Sequence, residues 1–368
     1  MKNLFNNLAN KWIAELKTYE PGRPIEEVAR ELGFKDAGAI VKLASNENAL
    51  GPSPLAVKAM RSGATQMHRY PDGSAYYLKE ALAEKLGISP DTILAVNGSN
   101  EAIELLGHVF LGAGRGIVMA DQAFIVYELI ARMFDASVVR VPMKDFTHDL
   151  DAILKSIKKN TKLVFVSNPN NPTSTMVSEA QLDRFMKKVP PHVVVCIDEA
   201  YLELLPPAMQ PNTLKYVKAG KRVVLMRTFS KTYGLAGLRL GYVIAPKECI
   251  QLLERVRQPF NVNAMAMAAA LAALEDEAYL TRTRRMIRDG LAYFEKEFDR
   301  MGLPFVPAVA NFMLVEVGEG RKVFEKLMKK GVIVRPMDVY GLPGYVRITV
   351  GTRKENEICI RALESVLV

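Results

Sequence analysis

From about residue 90 to residue 245 the chain alternates short apolar runs with stretches of helical period, and few architectures accept that pattern. The runs 93–96, 116–120, 138–141, 163–166, 193–197 and 223–226 read as strands. Most show no alternation of polar and apolar residues, as expected of strands covered on both faces. Helical segments between them predict an α/β fold with a largely parallel sheet, whose ligands gather beyond the carboxyl ends of the strands.

After Pro246 the pattern changes to helices at 248–257 and 263–301, short strands near 311–317, 332–334 and 346–350, and a last helix at 354–366. This predicts a smaller α+β domain. A chain of 368 residues also exceeds the usual size of a single core. The expected division is an N-terminal arm with part of the small domain at 1–45, a large domain at 46–262 and a small domain at 263–368. Leu4, Leu8, Trp12 and Leu16 recur at a spacing of four and predict one helical stripe. That stripe would cover either its own domain or a neighbouring subunit.

Composition narrows the functional classes. The net charge of +9 comes from basic residues scattered through the predicted helices, which argues against nucleic acid and suits a small anionic substrate. Cys196, Cys249 and Cys359 lie too far apart in sequence to suggest a disulfide framework or a zinc site, so no metal is expected. No signal-peptide pattern stands at the N-terminus, and the apolar run 264–274 is too short to cross a bilayer. A cytoplasmic protein with a buried helix at 264–274 is the expectation.

The residues that follow the strands carry the chemistry. Lys231 sits in a small-residue loop, Thr228-Phe229-Ser230-Lys231-Thr232-Tyr233-Gly234, between two apolar strands. A partly desolvated lysine near another cation, such as Arg239, has the neutral amine needed to condense with an aldehyde. Asp198 follows five apolar residues and needs a cationic or hydrogen-bonding partner to stay ionised. A protonated pyridine nitrogen is one such partner, a helix cap or an arginine another. Tyr201, three residues on, could reach a ring hydroxyl. Asn97-Gly98-Ser99-Asn100 opens a helix and reads either as a phosphate cup or as a plain cap. Ser167-Asn168-Pro169-Asn170-Asn171-Pro172-Thr173 must be a loop, because its prolines cannot sit in a helix or a central strand. Together these elements describe a site for pyridoxal phosphate.

With Asn46-Glu47-Asn48, Gly51-Pro52-Ser53-Pro54, Tyr70-Pro71-Asp72 and Val346-Arg347-Ile348-Thr349-Val350-Gly351-Thr352, the chain resembles the fold type I aminotransferases over nearly its whole length. Within them it is similar to the enzymes that act on histidinol phosphate. The resemblance implies a pyridoxal phosphate-dependent homodimer that moves an amino group between histidinol phosphate and 2-oxoglutarate. An aromatic amino acid aminotransferase and, further off, a threonine-phosphate decarboxylase share the scaffold. By the same resemblance Lys231, Asp198 and Tyr201 are catalytic. Ser99, Asn100, Ser230 and Arg239 would hold the cofactor phosphate, Phe124 would stack on the ring and Asn171 would meet its hydroxyl. Tyr70 would reach the phosphate from the neighbouring subunit. Tyr19, Asn48, Arg335 and Arg347 are the substrate residues, with Arg347 clamping the glutamate carboxylate.

Two positions depart from the family pattern. Ser174 stands where glycine is usual, so a positive φ there would be strained. Asp121-Gln122-Ala123 replaces a more usual Pro-Thr ahead of Phe124.

Overall fold

The computed structural model describes residues 5–16, 18, 22–34 and 36–367. Strand β1 (Val41–Lys42) precedes the large sheet, whose strands are β2 (Ile93–Val96), β3 (Gly116–Ala120), β4 (Ser137–Val141), β5 (Thr161–Ser167), β6 (Val194–Asp198), β7 (Val223–Thr228) and β8 (Gly241–Ile244). Their order is β2-β8-β7-β6-β5-β3-β4, and every pairing is parallel except those of β8, which runs against both neighbours. The predicted strands therefore exist with small shifts. The one that matters is at β6, where Asp198 is the last strand residue rather than the first beyond it.

Alternation along the strands feeds two cores. Val164, Val166, Val195 and Ile197 face one side, while Leu163, Phe165 and Cys196 face the other. Helices cover both faces, so the interiors of the central strands are almost wholly apolar, while the edge strand β4 is partly exposed and carries Arg140.

The second unit is a four-stranded antiparallel sheet of β9 (Phe305–Val306), β10 (Phe312–Glu316), β12 (Arg335–Pro336) and β13 (Tyr345–Thr349), in the order β12-β13-β10-β9. Strand β11 (Val332–Ile333) pairs with β1 instead, which ties the N-terminal segment to this unit. Val28, Leu43, Phe294, Val315, Ile348 and Leu363 share its core.

Three sequence expectations change here. The long helix expected at 263–301 is two helices, Ala264–Leu274 and Glu277–Met301, because Asp276 caps the second by accepting the Tyr279 N–H at 3.0 Å. Ala266, Ala269, Ala270 and Leu280 pack in the large core, beyond the expected 262/263 boundary. Among the described residues of the N-terminal stripe only Lys11–Ala14 is helical; Phe5 and Leu8 are exposed, and Leu4 lies outside the described residues. One turn without a buried face cannot sustain a helix. Trp12 is anchored, its indole N–H donating to the Met133 carbonyl at 3.1 Å in its own large domain. Among the described residues no helix is long and apolar enough to cross a membrane.

Asp276 also accepts the Ser53 hydroxyl at 2.6 Å, and Ser53 itself caps the Pro54–Gly63 helix. Asp276→Ala should therefore lower stability by about 1–2 kcal/mol. Asp276→Asn, which keeps an acceptor, should lose less; urea unfolding at neutral pH checks both.

Candidate active site

The carboxyl ends of β5, β6 and β7 lie side by side, with Ser167 in register with Asp198. The start of β8 reaches the same edge, because Gly241 pairs with Val96 on one side and Thr228 on the other. Over this edge, facing the small sheet, lies a cavity of about 410 Å³. Ser99, Asn100, Phe124, Asn171, Asp198, Tyr201, Ser230, Lys231, Arg239, Arg335 and Arg347 all line it, so residues scattered over 249 positions of sequence (99 to 347) converge there.

Lys231 projects from the loop after β7, and its Nζ donates to the Ser45 carbonyl at 3.0 Å. Burial, then the positive charges of Arg347 and Arg239, bring its amine down to about 8, against an opposing pull from Glu47 and Asp198. The sequence suggested Arg239 as the cation; Arg347 has the larger effect. A lysine so placed has an appreciable neutral fraction near neutrality, which is the nucleophilic form.

Asp198 forms the floor. Its Oδ2 accepts the Tyr127 phenol O–H at 2.6 Å, and its Oδ1 accepts the Ala200 N–H at 3.1 Å. Burial raises its pKa above the usual carboxylate value, and these two donors oppose that rise. Tyr201 is also buried and pushed up to about 12, so it keeps its proton. Its hydroxyl accepts the Asn46 amide at 2.9 Å, which leaves its own hydrogen to be donated elsewhere.

One wall is built for an anion. The Gly98–Phe110 helix presents its N-terminus to the cavity, with Ser99 and Asn100 in the first turn. A Cβ on Gly98 would stand 2.4 Å from Arg239 Nη2, so only glycine lets the guanidinium sit against this helix start. Arg239 itself adopts φ +58°, and its Nη1 donates to the Ala236 carbonyl at 3.0 Å. Across the gap Thr228 fixes Ser230, accepting its N–H at 3.1 Å and donating to its hydroxyl at 3.0 Å.

The opposite wall comes from the small sheet. Arg335 and Arg347 are cross-strand partners on β12 and β13, two cations on one rung. The Arg347 guanidinium donates to Asn171 Oδ1 and, at 2.6 Å, to the Ala44 carbonyl, and lies 5.2 Å from the Phe312 ring centre. Asn171 is thereby held at the cavity by the arginine.

Ser174 does adopt a positive φ, +62°, and is fully buried. Its side chain gives something a glycine cannot: the hydroxyl oxygen accepts the Ala310 N–H at 2.8 Å, while its carbonyl accepts the Val309 N–H at 2.9 Å. The loop that carries Asn171 is thus fastened to the small domain. At the other departure, the Gln122 carbonyl accepts the Asn170 amide at 2.8 Å, so the backbone at this position holds the same loop.

Two expected residues, Asn48 and Tyr70, do not line the cavity. Asn48 donates to the Thr232 carbonyl and to the Thr283 hydroxyl, each at 3.1 Å, and so braces the lysine loop from behind. Tyr70 is 84% exposed and stacks on Phe260 with ring centres 4.8 Å apart. Tyr19 lies outside the described residues. Conversely, Asn46, Ser45 and Glu47 line the cavity, and Tyr127 stands behind it, none of them assigned a role from sequence. Tyr127 was findable in principle, one helical turn beyond Phe124.

The chain belongs to the class I and II aminotransferase family, whose family model matches residues 39–363. Among curated relatives it is 48% identical to histidinol-phosphate aminotransferase of Moorella thermoacetica, over 96% of this chain and 92% of that protein. It is also 48% identical to histidinol-phosphate aminotransferase of Akkermansia muciniphila, over 98% and 99% of the two chains. Among solved structures, histidinol-phosphate aminotransferase from Sinorhizobium meliloti in complex with pyridoxal-5'-phosphate superposes with a TM-score of 0.89 at 28% identity, covering 97% of this chain and 96% of that one.

The Lys231 amine offers a direct test of the site's electrostatics. Its ordinary value is 10.5 and its folded value about 8, so between those limits the unfolded chain binds the proton that the folded protein does not. Stability of the cofactor-free protein should accordingly rise as pH climbs through this window, with the full cost of the buried charge felt below it. Urea unfolding across the same range should show that rise in the native protein and a flatter profile in Lys231→Met.

Proposed function

We propose that the chain catalyses pyridoxal phosphate-dependent transfer of an amino group between L-histidinol phosphate and 2-oxoglutarate, giving imidazole acetol phosphate and L-glutamate, in histidine biosynthesis. The observation that carries this reading is one cavity holding a lysine near 8, a buried carboxylate with two donors, a glycine-backed anion wall and a rung of two arginines. Full-length similarity to histidinol-phosphate aminotransferases supports the choice of substrate.

The donor set suits the cofactor. Pyridoxal 5'-phosphate supplies an aldehyde, a pyridine ring that withdraws electrons once protonated, and a phosphate. Ser99, Asn100, Ser230 and Arg239 form a wall of donors for the phosphate. Phe124 offers an aromatic face. Asp198 would accept a hydrogen bond from the ring nitrogen, and Tyr201, which retains its proton, would donate to the ring oxygen together with the Asn171 amide.

Lys231 Nζ would supply the amine for the aldehyde and, when free, the base for the proton on the substrate's Cα. Its hydrogen bond to the Ser45 carbonyl keeps it at the cavity in the meantime. Arg347 takes the glutamate carboxylate through two parallel hydrogen bonds. Arg335, on the next strand, meets the phosphate of histidinol phosphate.

The reading includes a cytoplasmic homodimer in which Tyr70 serves the partner's site. An exposed cluster of Tyr70, Tyr76, Tyr77, Met67 and Phe260 supports a subunit contact there.

Stopped-flow absorbance of the bound cofactor, with histidinol phosphate, phenylalanine and phosphothreonine tried in turn, tests the substrate. Rapid conversion of the cofactor to its amine form by histidinol phosphate alone is the expected result. Preference for phenylalanine would reassign the substrate, and carbon dioxide release from phosphothreonine would reassign the reaction. Both half-reactions use one site, so double-reciprocal plots should be parallel. Arg347→Lys should raise KM for glutamate by about tenfold to a hundredfold, with a much smaller change for histidinol phosphate, because lysine cannot form the paired bonds.

A further inference from the structure

Asp198 can hold a ring proton in place only if it remains a carboxylate, and it is nine-tenths or more buried at the end of an apolar strand. Among the described residues no cation donates a hydrogen bond to it. The donors it does have are the Ala200 N–H at 3.1 Å and the Tyr127 phenol at 2.6 Å. The phenol bond is the shorter and comes from a different element, the Val126–Met133 helix.

Tyr127 has little freedom to do anything else. Its ring lies parallel to that of Phe165, 6° between planes and 4.4 Å between centres, and Phe124 meets it edge-on at 5.7 Å. Strand alternation sends Phe165 and Cys196 to one face of the sheet, and Asp198, two residues after Cys196, follows them to the same side. The phenol therefore arrives behind the carboxylate, and Tyr127 does not itself line the cavity. Phe124, which does, stands one helical turn before it.

We propose that Tyr127 is a positioning residue for the reaction, holding Asp198 ionised and in one orientation so that the ring proton resides on the cofactor nitrogen and not on the carboxyl group. This rests on the cofactor reading above and is independent of the identity of the amino donor. Removing the phenol takes away a donor that favours the charged carboxylate over its neutral form, so the shared proton moves toward Asp198 and the ring loses part of its electron-withdrawing power. The other titratable groups that act on Asp198 are Lys231, Glu199, Tyr201 and Cys196; Lys231 favours its charged form and Glu199 opposes it.

The test compares Tyr127→Phe with Tyr127 replaced by 3-fluorotyrosine, a close match in shape and a stronger donor. In holoenzyme loaded with cofactor labelled at the ring nitrogen, ¹⁵N NMR reads the protonated fraction. The expected order is fluorotyrosine at or above tyrosine, with phenylalanine below both. Tyr127→Phe should also lower kcat by about tenfold to a hundredfold, the loss of one charge-assisted hydrogen bond, with KM for both amino donors little changed. The same variant in an Asp198→Asn background should cost almost nothing further. In cofactor-free protein, ¹³C NMR should find the Asp198 carboxyl titrating at higher pH in Tyr127→Phe than in the native chain.

An unchanged nitrogen signal across the series would overturn the proposal. So would an equal loss of ring protonation in Phe165→Leu, which disturbs the stacking and keeps the phenol, since packing would then explain the effect. Failure of histidinol phosphate as substrate, with the nitrogen and carboxyl signals still following the series, would refute the substrate reading alone.

Discussion

A carboxylate buried at the end of an apolar strand is unfavourable unless something donates to it, and the architecture of the large domain answers that requirement at Asp198. The parallel register of β5 and β6 sets Asp198 beside Ser167, and the same sheet face delivers Phe165 as a platform for Tyr127. The helix that begins near Phe124 then brings the phenol to the acid. Shifting β6 by one residue would turn the side chain to the opposite face and break every one of these relations at once.

The lysine stands under the opposite constraint. Burial and two arginines hold the Lys231 amine low, while the same burial raises Asp198. Low dielectric thus moves an acid and a base toward each other, each closer to its neutral form, and hydrogen bonds decide how far. At Lys231 the cations of the small sheet and the anion wall add to the effect of burial. At Asp198 two donors work against it.

Much of this was legible in the sequence because the strands are covered on both faces and so appear as unbroken apolar runs with polar residues only where the strand stops. Lys231, Asp198, Tyr201 and Asn171 announce themselves in that way. What escaped depends on contacts between segments distant in sequence. Asn48 sits in a motif beside Asn46, but it is Asn46 that reaches Tyr201, while Asn48 turns to Thr232 and Thr283. Tyr127 looks like any apolar-face aromatic until its phenol is seen against a residue 71 positions away. The amphipathic spacing in the first sixteen residues suggested one helical stripe, whereas among the described residues only 11–14 is helical, with Trp12 held by its indole. Ser174 was legible as an oddity; that its hydroxyl repays the backbone with a bond to Ala310 was not.

The partners of Arg347 bear on how one pocket serves two unlike amines. Its guanidinium already rests on the Asn171 amide oxygen and the Ala44 carbonyl. In the proposed role a carboxylate would take these two donors over, and a substrate without one would leave them on neutral oxygens of the protein itself. On the proposed function, tolerance for a molecule lacking the expected charge would be a property of the resting site, stored in an internal stand-in that a carboxylate would displace.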